Sequence, residues 1–370
     1  MMTDQAVRVP VDQVTAFMRA SLAAMGVPAG DVDTITDVLI TSDLWGIPSH
    51  GIAHLKMYHE RIKAGLQLPV TSLTTVRETD TTAVLDGGNG MGMVVGHRAM
   101  QMAIEKARHH GLGAVAVRNS SHYGIAGYYA RMAVLEGMVG LSMTNAHPST
   151  APTFGVQPMM GTNPIAVGAP SDEPFPFLFD ASTSVVTRGK IEVAARAKKP
   201  IPPGWAIGQD GEAVTDSTTL IESMNRDAAA LLPVGGLGEL LGGHKGYGLA
   251  AMVEIFSAAF QQGAFLSELH DTDDQGRPHF LRIGHFFLAI DVERFLPLES
   301  FRHTVGEILR ELRASTKAPG EARIYTAGEK AHAHTQRVRA EGVEIAPGVQ
   351  RALLRLREEL GLQAIDLGFG

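Results

Sequence analysis

There is no cysteine among the 370 residues. That excludes disulfides, thiolate-bound zinc, iron–sulfur clusters and thiol catalysis, and it fits a reducing compartment such as the cytoplasm. No stretch reaches the ~18 apolar residues a membrane helix needs. The N-terminal MMTDQAVRVPVDQV has no basic segment followed by an apolar run, so no signal peptide is expected. The nearest apolar stretch, Gly248 to Phe260, is short and carries Glu254, and it reads as a buried core helix. Positive charge is also scarce. Thirty-nine acids against 32 bases give a net charge of −7 and a pI near 6.1. Nucleic acid and anionic membranes are therefore not expected as partners.

The common nucleotide and hydrolase fingerprints are missing too. GGNGMG and GGLGELLGG both lack the G-x-G-x-x-G spacing. GGHKGYG is not a P-loop, because Lys245 is followed by Gly rather than Ser or Thr. There is no H-E-x-x-H, no G-x-S-x-G and no zinc-ribbon pattern. His332–His334 and His109-His110 lack supporting carboxylates at metal-binding spacing, so they read as surface histidines and no metal is expected. A nucleotide site in this chain needs some other architecture.

What is present describes a folded protein. Hydrophobic residues make up 45% and mean hydropathy is +0.04. Val14, Phe17, Met18, Leu22 and Met25 follow helical spacing, and a second amphipathic helix starts after Asp31. IAHLKMYHERIKAG reads as a third. From about Thr75 short apolar runs alternate with helical ones: TTAVLDG, LGAVAV, VGLSMT, PIAVGAP and FLFD as strands, with helices from His97 and through YYARMAVLEG. This alternation predicts an α/β protein with a mixed or mostly parallel sheet. Residues 198–216 read as loop, a long helix follows GGHKGYG, HFFLAID reads as a strand, and the remainder is mostly helical. The expected division is a helical domain over 1–75 completed by 300–370, a mixed α/β nucleotide-binding domain over 76–225, and a smaller subdomain with the long helix over 226–299.

Four segments carry polar chemistry. NSSHYGIAGYYA (119–130) follows a buried strand and opens a helix, where ligands collect in open α/β sheets. Ser120 or Ser121 is a candidate cap, Gly124 and Gly127 permit close backbone approach, and His122 points toward the crevice. The bland alternative is a surface turn. PSHG (48–51) places Ser49 and His50 in a loop between helices. Histidine titrates near neutrality and suits proton transfer to an alcohol or carbonyl oxygen, although on this motif alone a capping Ser beside a satisfied His is the favoured reading. GTNP (161–164), FLFDASTS (177–184) and TRGK (187–190) offer Asp180, Ser182 and Thr183 for ribose or nicotinamide, or merely as caps, and Lys190 for a phosphate or for solvent. GGHKGYG at the start of the long helix offers backbone N–H groups and Lys245 to an anion, or simply close helix packing.

Taken in order, SHGIAHLKMY, NSSHYGIAGYYA, GTNPIAVGAP, FLFDASTS and GGHKGYGL resemble the type 2, non-Rossmann malate/L-lactate dehydrogenase family. The resemblance runs from about Val11 to Leu360. It also takes in sulfolactate, ureidoglycolate and diketogulonate enzymes and reductases of cyclic-imine carboxylates. It implies a mixed-sheet, non-Rossmann nucleotide-binding core and an oxidoreductase using NAD or NADP, with NAD put first. It also implies a homodimer with the site near the subunit interface. His50 matches a family acid/base histidine with Ser49 as partner, and His122 matches a second. Only one can be the primary acid/base; His50 is the first candidate, with His122 on substrate or nicotinamide. Gly124, Thr162, Asp180, Ser182, Thr183, Lys190, His244, Lys245 and Gly246 fall with the cofactor contacts. Two positions depart from the pattern. His54 stands where many members have a carboxylate-clamping Arg, and Pro48 where an Asp often precedes the Ser. Imidazole does not replace a bidentate guanidinium, so Arg118 or Arg188 is the expected substitute. The reaction implied is hydride transfer between the cofactor and a small 2-hydroxy or 2-oxo acid. Reduction of a cyclic imine carboxylate is the alternative, and a catalytically inactive binding protein of the same fold is the alternative from another class.

Overall fold

The computed structural model describes residues 5–273 and 275–369. The chain opens with β1 (Val7–Val9), α1 (Val11–Ala24), α2 (Ala29–Leu44) and α3 (Leu55–Lys63). The central stretch follows as β2 (Thr74–Glu78), β3 (Thr82–Asp86), α4 (Gly92–His110), β4 (Leu112–Ser120), α5 (Ala126–Leu135), β5 (Met138–Thr144), β6 (Ile165–Ala169) and β7 (Phe177–Ala181). Then come α6 (Arg188–Arg196), β8 (Ala206–Gly208), α7 (Ser217–Met224), β9 (Ala229–Leu231), α8 (Gly243–Ala258) and β10 (Ile283–Asp291). The chain closes with α9 (Leu298–Ala314), α10 (Glu329–Glu341), β11 (Val343–Ile345) and α11 (Pro347–Glu359).

Seven strands form one sheet in the order β2-β3-β4-β10-β5-β6-β7. Only β3 and β4 pair in parallel; every other neighbour pair in this sheet is antiparallel. The sheet is therefore mixed, and the mostly parallel option fails. The reason lies in β10. Strands β4 and β5 are joined by α5, as in a parallel βαβ unit, but β10 arrives from far down the chain and inserts between them, antiparallel to both. Its continuous apolar run suits a strand covered on both faces. Phe287 and Ala289 face the main core with α4 and α5, while Phe286 meets Val253 of α8 on the other face.

The chain ends meet: β1 pairs with β11, α10 packs on α2, and α11 packs on α3. Helix α9 stays at the far sheet edge, where Arg310 and Arg313 pair with Asp172 and Glu173 beside the β6–β7 hairpin. Residues 226–299 supply α8 to one sheet face and β10 to the sheet's middle. A separate small cluster of Ile191, Ala206, Leu220 and Leu231 joins α6 and α7 to the β8–β9 ribbon. Part of the 198–216 stretch read as loop is thus strand β8. The short elements β1, β2, β8, β9 and β11 and helices α6 and α7 carry too little periodicity to be read locally. Helix α4 starts at Gly92, not near His97, because Gly92 fits under the 121–122 backbone. A Cβ there would lie 2.2 Å from the Ser121 carbonyl oxygen and 2.5 Å from that of His122.

Candidate active site

The carboxyl ends of β3, β4 and β5 and the start of β10 lie at one end of the sheet, and the loops there converge with α3. Gly51 makes the first loop possible. Its missing side chain leaves room for the Asp43 carboxyl group, whose Oδ2 accepts from the Ile52 N–H at 2.9 Å. This holds Ser49 and His50 in place, with Ser49 Oγ 2.9 Å from His50 Nδ1. Asp43 is only 5% exposed, and burial pushes its carboxyl up to about 7. The folded state therefore holds a proton that the unfolded chain gives up near pH 4, and Asp43 costs stability as pH rises from about 4 to about 7. Asp43→Asn keeps an acceptor for Ile52 without the charge. It is expected to raise Tm by roughly 3–6 °C at pH 8 and little at pH 5, as scanning calorimetry at both pH values will report.

The second loop is fixed from below. Ser121 Oγ accepts from the Gly92 N–H and from Gln67 Nε2 and donates to the Gly90 carbonyl. Ser121 thus caps α4. Neither Ser120 nor Ser121 caps α5 as the sequence reading allowed; the N-cap residue of α5 is Ile125. Ser120 Oγ meets His285 Nε2, and His285 Nδ1 meets Thr144 Oγ1, both at 2.8 Å. His285 is fully buried, stacks on Tyr123 at 4.4 Å, and is held down to about 3 by burial. It braces β4, β5 and the loop without reaching the cleft. Gly124 has φ +82°, and a Cβ there would sit 2.6 Å from Val38.

These loops bring three imidazoles together. Ring centroids lie 5.4 Å apart for His50 and His54, 4.9 Å for His54 and His122, and 5.5 Å for His50 and His122. His122 Nδ1 is 2.8 Å from the Tyr58 hydroxyl. All three residues are partly exposed. Burial holds His50 below the usual histidine range. Burial and the neighbouring His50 hold His54 near 3. Burial, then His54, His50 and Arg61, hold His122 well below it. All three are neutral at pH 7, so they accept protons or donate N–H bonds without charge. Burial also raises the Tyr58 phenol, which stays protonated.

The expected cofactor residues form a band next to this cluster. Gly189, in the first turn of α6, lies against Ser49: a Cβ there would be 3.7 Å from Ser49 Cβ. Asp180 Oδ2 accepts from the Gly127 N–H at 2.7 Å, which caps α5 from across the sheet; burial pushes its carboxyl up to about 6. Thr183 bonds Thr162 through its N–H and hydroxyl at 2.9 and 3.1 Å, and Ser182 Oγ donates to the Ser184 carbonyl. The Val234 N–H donates to Thr183. Gly246 in turn packs on Val234, whose carbonyl oxygen a Cβ would approach to 2.1 Å. The bare Cα of Gly246 thus lets the first turn of α8 sit directly on Val234. His244 and Lys245 are exposed at the α8 N-terminus, beside a 450 Å³ cavity also lined by Val234, Gly235 and Gly242. Lys190 is exposed in the first turn of α6.

The α8 end of this band fits the phosphates of a nucleotide: at the N-terminus of this 16-residue helix, N–H groups, Lys245 and a cradle that a Cβ on Gly235 would fill can meet an anion. Among the described residues no group of three or more His, Asp or Glu could hold a metal ion, and no helix is long and apolar enough to cross a membrane.

The structure does not bring every expected residue to the histidines. Arg118 is bound to Asp86 at 2.9 Å and to the Gln261 carbonyl. Arg188 is bound to Glu192 and Asn225. Tyr58, Asp43, Arg61 and His285 were missed. The spacing His54, Tyr58, Arg61 was the available signal for two of them, because i, i+4 and i+7 share a helix face. Asp43 and His285 gave none, since their partners come from other elements.

The family profile described as malate/L-lactate dehydrogenase matches residues 9–354. A malate dehydrogenase of Pyrococcus horikoshii is 42% identical over 97% of this chain and 97% of its own length. An L-sulfolactate dehydrogenase of Methanocaldococcus jannaschii is 36% identical over 93% of this chain and 95% of its own. The crystal structure of malate dehydrogenase from Entamoeba histolytica superposes with a TM-score of 0.93 at 41% identity, covering 96% of this chain and 99% of that one. With its mixed sheet and its match to this family over nearly the whole length, the chain belongs to the malate/L-lactate dehydrogenase family of NAD(P)-dependent 2-hydroxy acid oxidoreductases.

Proposed function

We propose that the protein interconverts malate, or a close 2-hydroxy acid, with its 2-oxo acid, using NAD in preference to NADP. The bound nicotinamide supplies or accepts the hydride at C2. His50 moves the proton of the C2 oxygen: neutral, it accepts from the hydroxyl during oxidation, and protonated, it donates to the carbonyl oxygen during reduction. Ser49 orients His50 through Nδ1. With the Tyr58 hydroxyl donating to its Nδ1, His122 presents Nε2–H to the substrate oxygen. The observation that carries this reading is the Ser49–His50 pair standing 5.5 Å, ring to ring, from His122 at the carboxyl ends of the strands. Proximity and fixed donors supply the rest of the rate.

We assign the cofactor to Gly124, Thr162, Asp180, Ser182, Thr183, Lys190, His244, Lys245, Gly246 and the open edge of His122. The working form is a cytoplasmic homodimer. The support is an exposed apolar surface around α8, where Leu240, Leu241, Ile255, Phe260 and Phe265 are each at least half exposed. An 850 Å³ cavity beside it is lined by Met159, Tyr247, Ile255 and Phe265. The division into 1–75 with 300–370, 76–225 and 226–299 stands as a proposal about folding units. The test of function is titration with NADH and NADPH, followed by cofactor oxidation with oxaloacetate, pyruvate and a cyclic imine carboxylate. Tighter NADH binding and turnover of oxaloacetate are expected. Turnover of the imine alone would replace the substrate class, and binding of neither cofactor would overturn the reading.

A further inference from the structure

We propose that Arg61 binds the distal acid group of the substrate, the carboxylate or sulfonate beyond the reacting carbon, and so selects diacids over lactate-like monoacids. The inference rests on the dehydrogenase reading and adds the residue that decides its substrate. His54, Tyr58 and Arg61 lie on one face of α3, and that face carries the first two into the histidine cluster. The Arg61 side chain is 22% exposed, so most of it is covered by protein while part stays open. Its nearest carboxylate oxygen, Asp271 Oδ2, is 4.0 Å away, beyond hydrogen-bond range, and its guanidinium makes no hydrogen bond among the described residues. Two other arginines are already bound, Arg118 by Asp86 and Arg188 by Glu192 and Asn225. His54, at the family's usual arginine position, is neutral. A partly buried guanidinium with its donors unspent is therefore left one helical turn beyond Tyr58, whose hydroxyl holds His122.

A second donor faces the same place. His147 uses Nδ1 on the Pro148 carbonyl, and its Nε2 is 4.0 Å from Asp271 Oδ1. Asp271 thus stands between Arg61 and His147 without bonding either. A side-chain carboxylate occupies the neighbourhood that a substrate acid group would take with better geometry. Reach decides which acid group that is. Helical rise puts the Arg61 backbone ~10 Å beyond that of His54, and a helical side chain leans back by a turn toward His122. A carboxylate on the reacting carbon must stay beside His50, whereas one further along the substrate points toward Arg61.

The test compares oxaloacetate with pyruvate in wild type, Arg61→Ala, Arg61→Lys and Asp271→Asn. Calorimetric binding of L-malate and L-lactate is measured in parallel. Arg61→Ala is expected to raise KM for oxaloacetate by ~30–100-fold with kcat within ~3-fold, and to leave pyruvate within ~3-fold. Arg61→Lys should restore part of the loss, because it returns charge without the bidentate fork. Asp271→Asn should lower KM for oxaloacetate by ~2–5-fold by removing a competing anion. Equal losses for oxaloacetate and pyruvate, or no loss for oxaloacetate, would overturn the proposal while leaving the dehydrogenase reading intact. If wild type reduces no 2-oxo acid, that reading fails instead, and calorimetry decides Arg61: malate binding that does not exceed lactate binding, or that survives in Arg61→Ala, removes the role. Should Arg61→Ala not fold, Arg61→Lys and Asp271→Asn carry the same comparison.

Discussion

His50→Ala is expected to lower kcat by ~10²–10⁴-fold, the usual yield of a positioned general acid or base. NADH affinity should stay within about threefold, because the band from Asp180 to Lys245 is untouched. The substitution removes the ring that Ser49 aligns and leaves His54 and His122 in place. Those two cannot take over directly. Their centroids lie about one ring diameter away, and His122 Nδ1 is already engaged by Tyr58. His122→Ala is the decisive partner experiment. With His50 as acid/base, its kcat falls less than that of His50→Ala, and its KM rises. A His50→Ala enzyme within tenfold of wild type, beside an inactive His122→Ala, would move the proton transfer to His122.

Gly92→Ala is expected to damage activity more than stability. The new Cβ meets the carbonyl oxygens of Ser121 and His122, and neither can yield by turning a side chain. The 120–124 loop must move, and it takes with it the bond from the Gly92 N–H to Ser121 Oγ and the seat of His122. Overpacking of this kind costs about 1–3 kcal/mol, so Tm should fall by roughly 3–10 °C. Activity should fall further than stability, by at least ~10²-fold, because misplacing a reacting group by an ångström has that effect. Gly30→Ala is the control. It lies in the first turn of α2, where a Cβ meets nothing within 4 Å, and it should be neutral or slightly stabilising. If both variants retain wild-type Tm and kcat, Gly92 does not set the loop.

Much of the sheet was legible in the sequence. β3, β4, β5, β6, β7 and β10 each carry a short apolar run rich in β-formers, bounded by Gly, Pro or polar residues, and their cores lie where those runs lie. Neighbour order was not legible. No local feature of HFFLAID shows that it slots between β4 and β5, because long-range pairing is set by which apolar faces meet in the assembled core. The short strands β1 and β11 are visible only as partners of each other. At the site, Ser49, His50 and His122 were singled out from their loop motifs and the family resemblance, and the fold brings them together. Asp180 was named but its bond to Gly127 was not, since the two lie on different elements. Arg118 was put forward as a substrate cation, but Asp86 holds it.

The sequence by itself determined which chemistry was open to this protein. The missing cysteine, P-loop, G-x-G-x-x-G and metal-binding spacing closed off several chemistries, and the ordered His- and Gly-bearing motifs carried the resemblance to non-Rossmann oxidoreductases. Only the tertiary structure decided protonation and partnership. Burial, which depends on every neighbouring element, makes three histidines neutral and raises Asp43. The assembly of α3 with the 145–150 loop and residues 266–273 places Arg61 and His147 on either side of Asp271. Residue types fix what a side chain can do; desolvation and distance fix what it does, and both arise only when distant segments pack together.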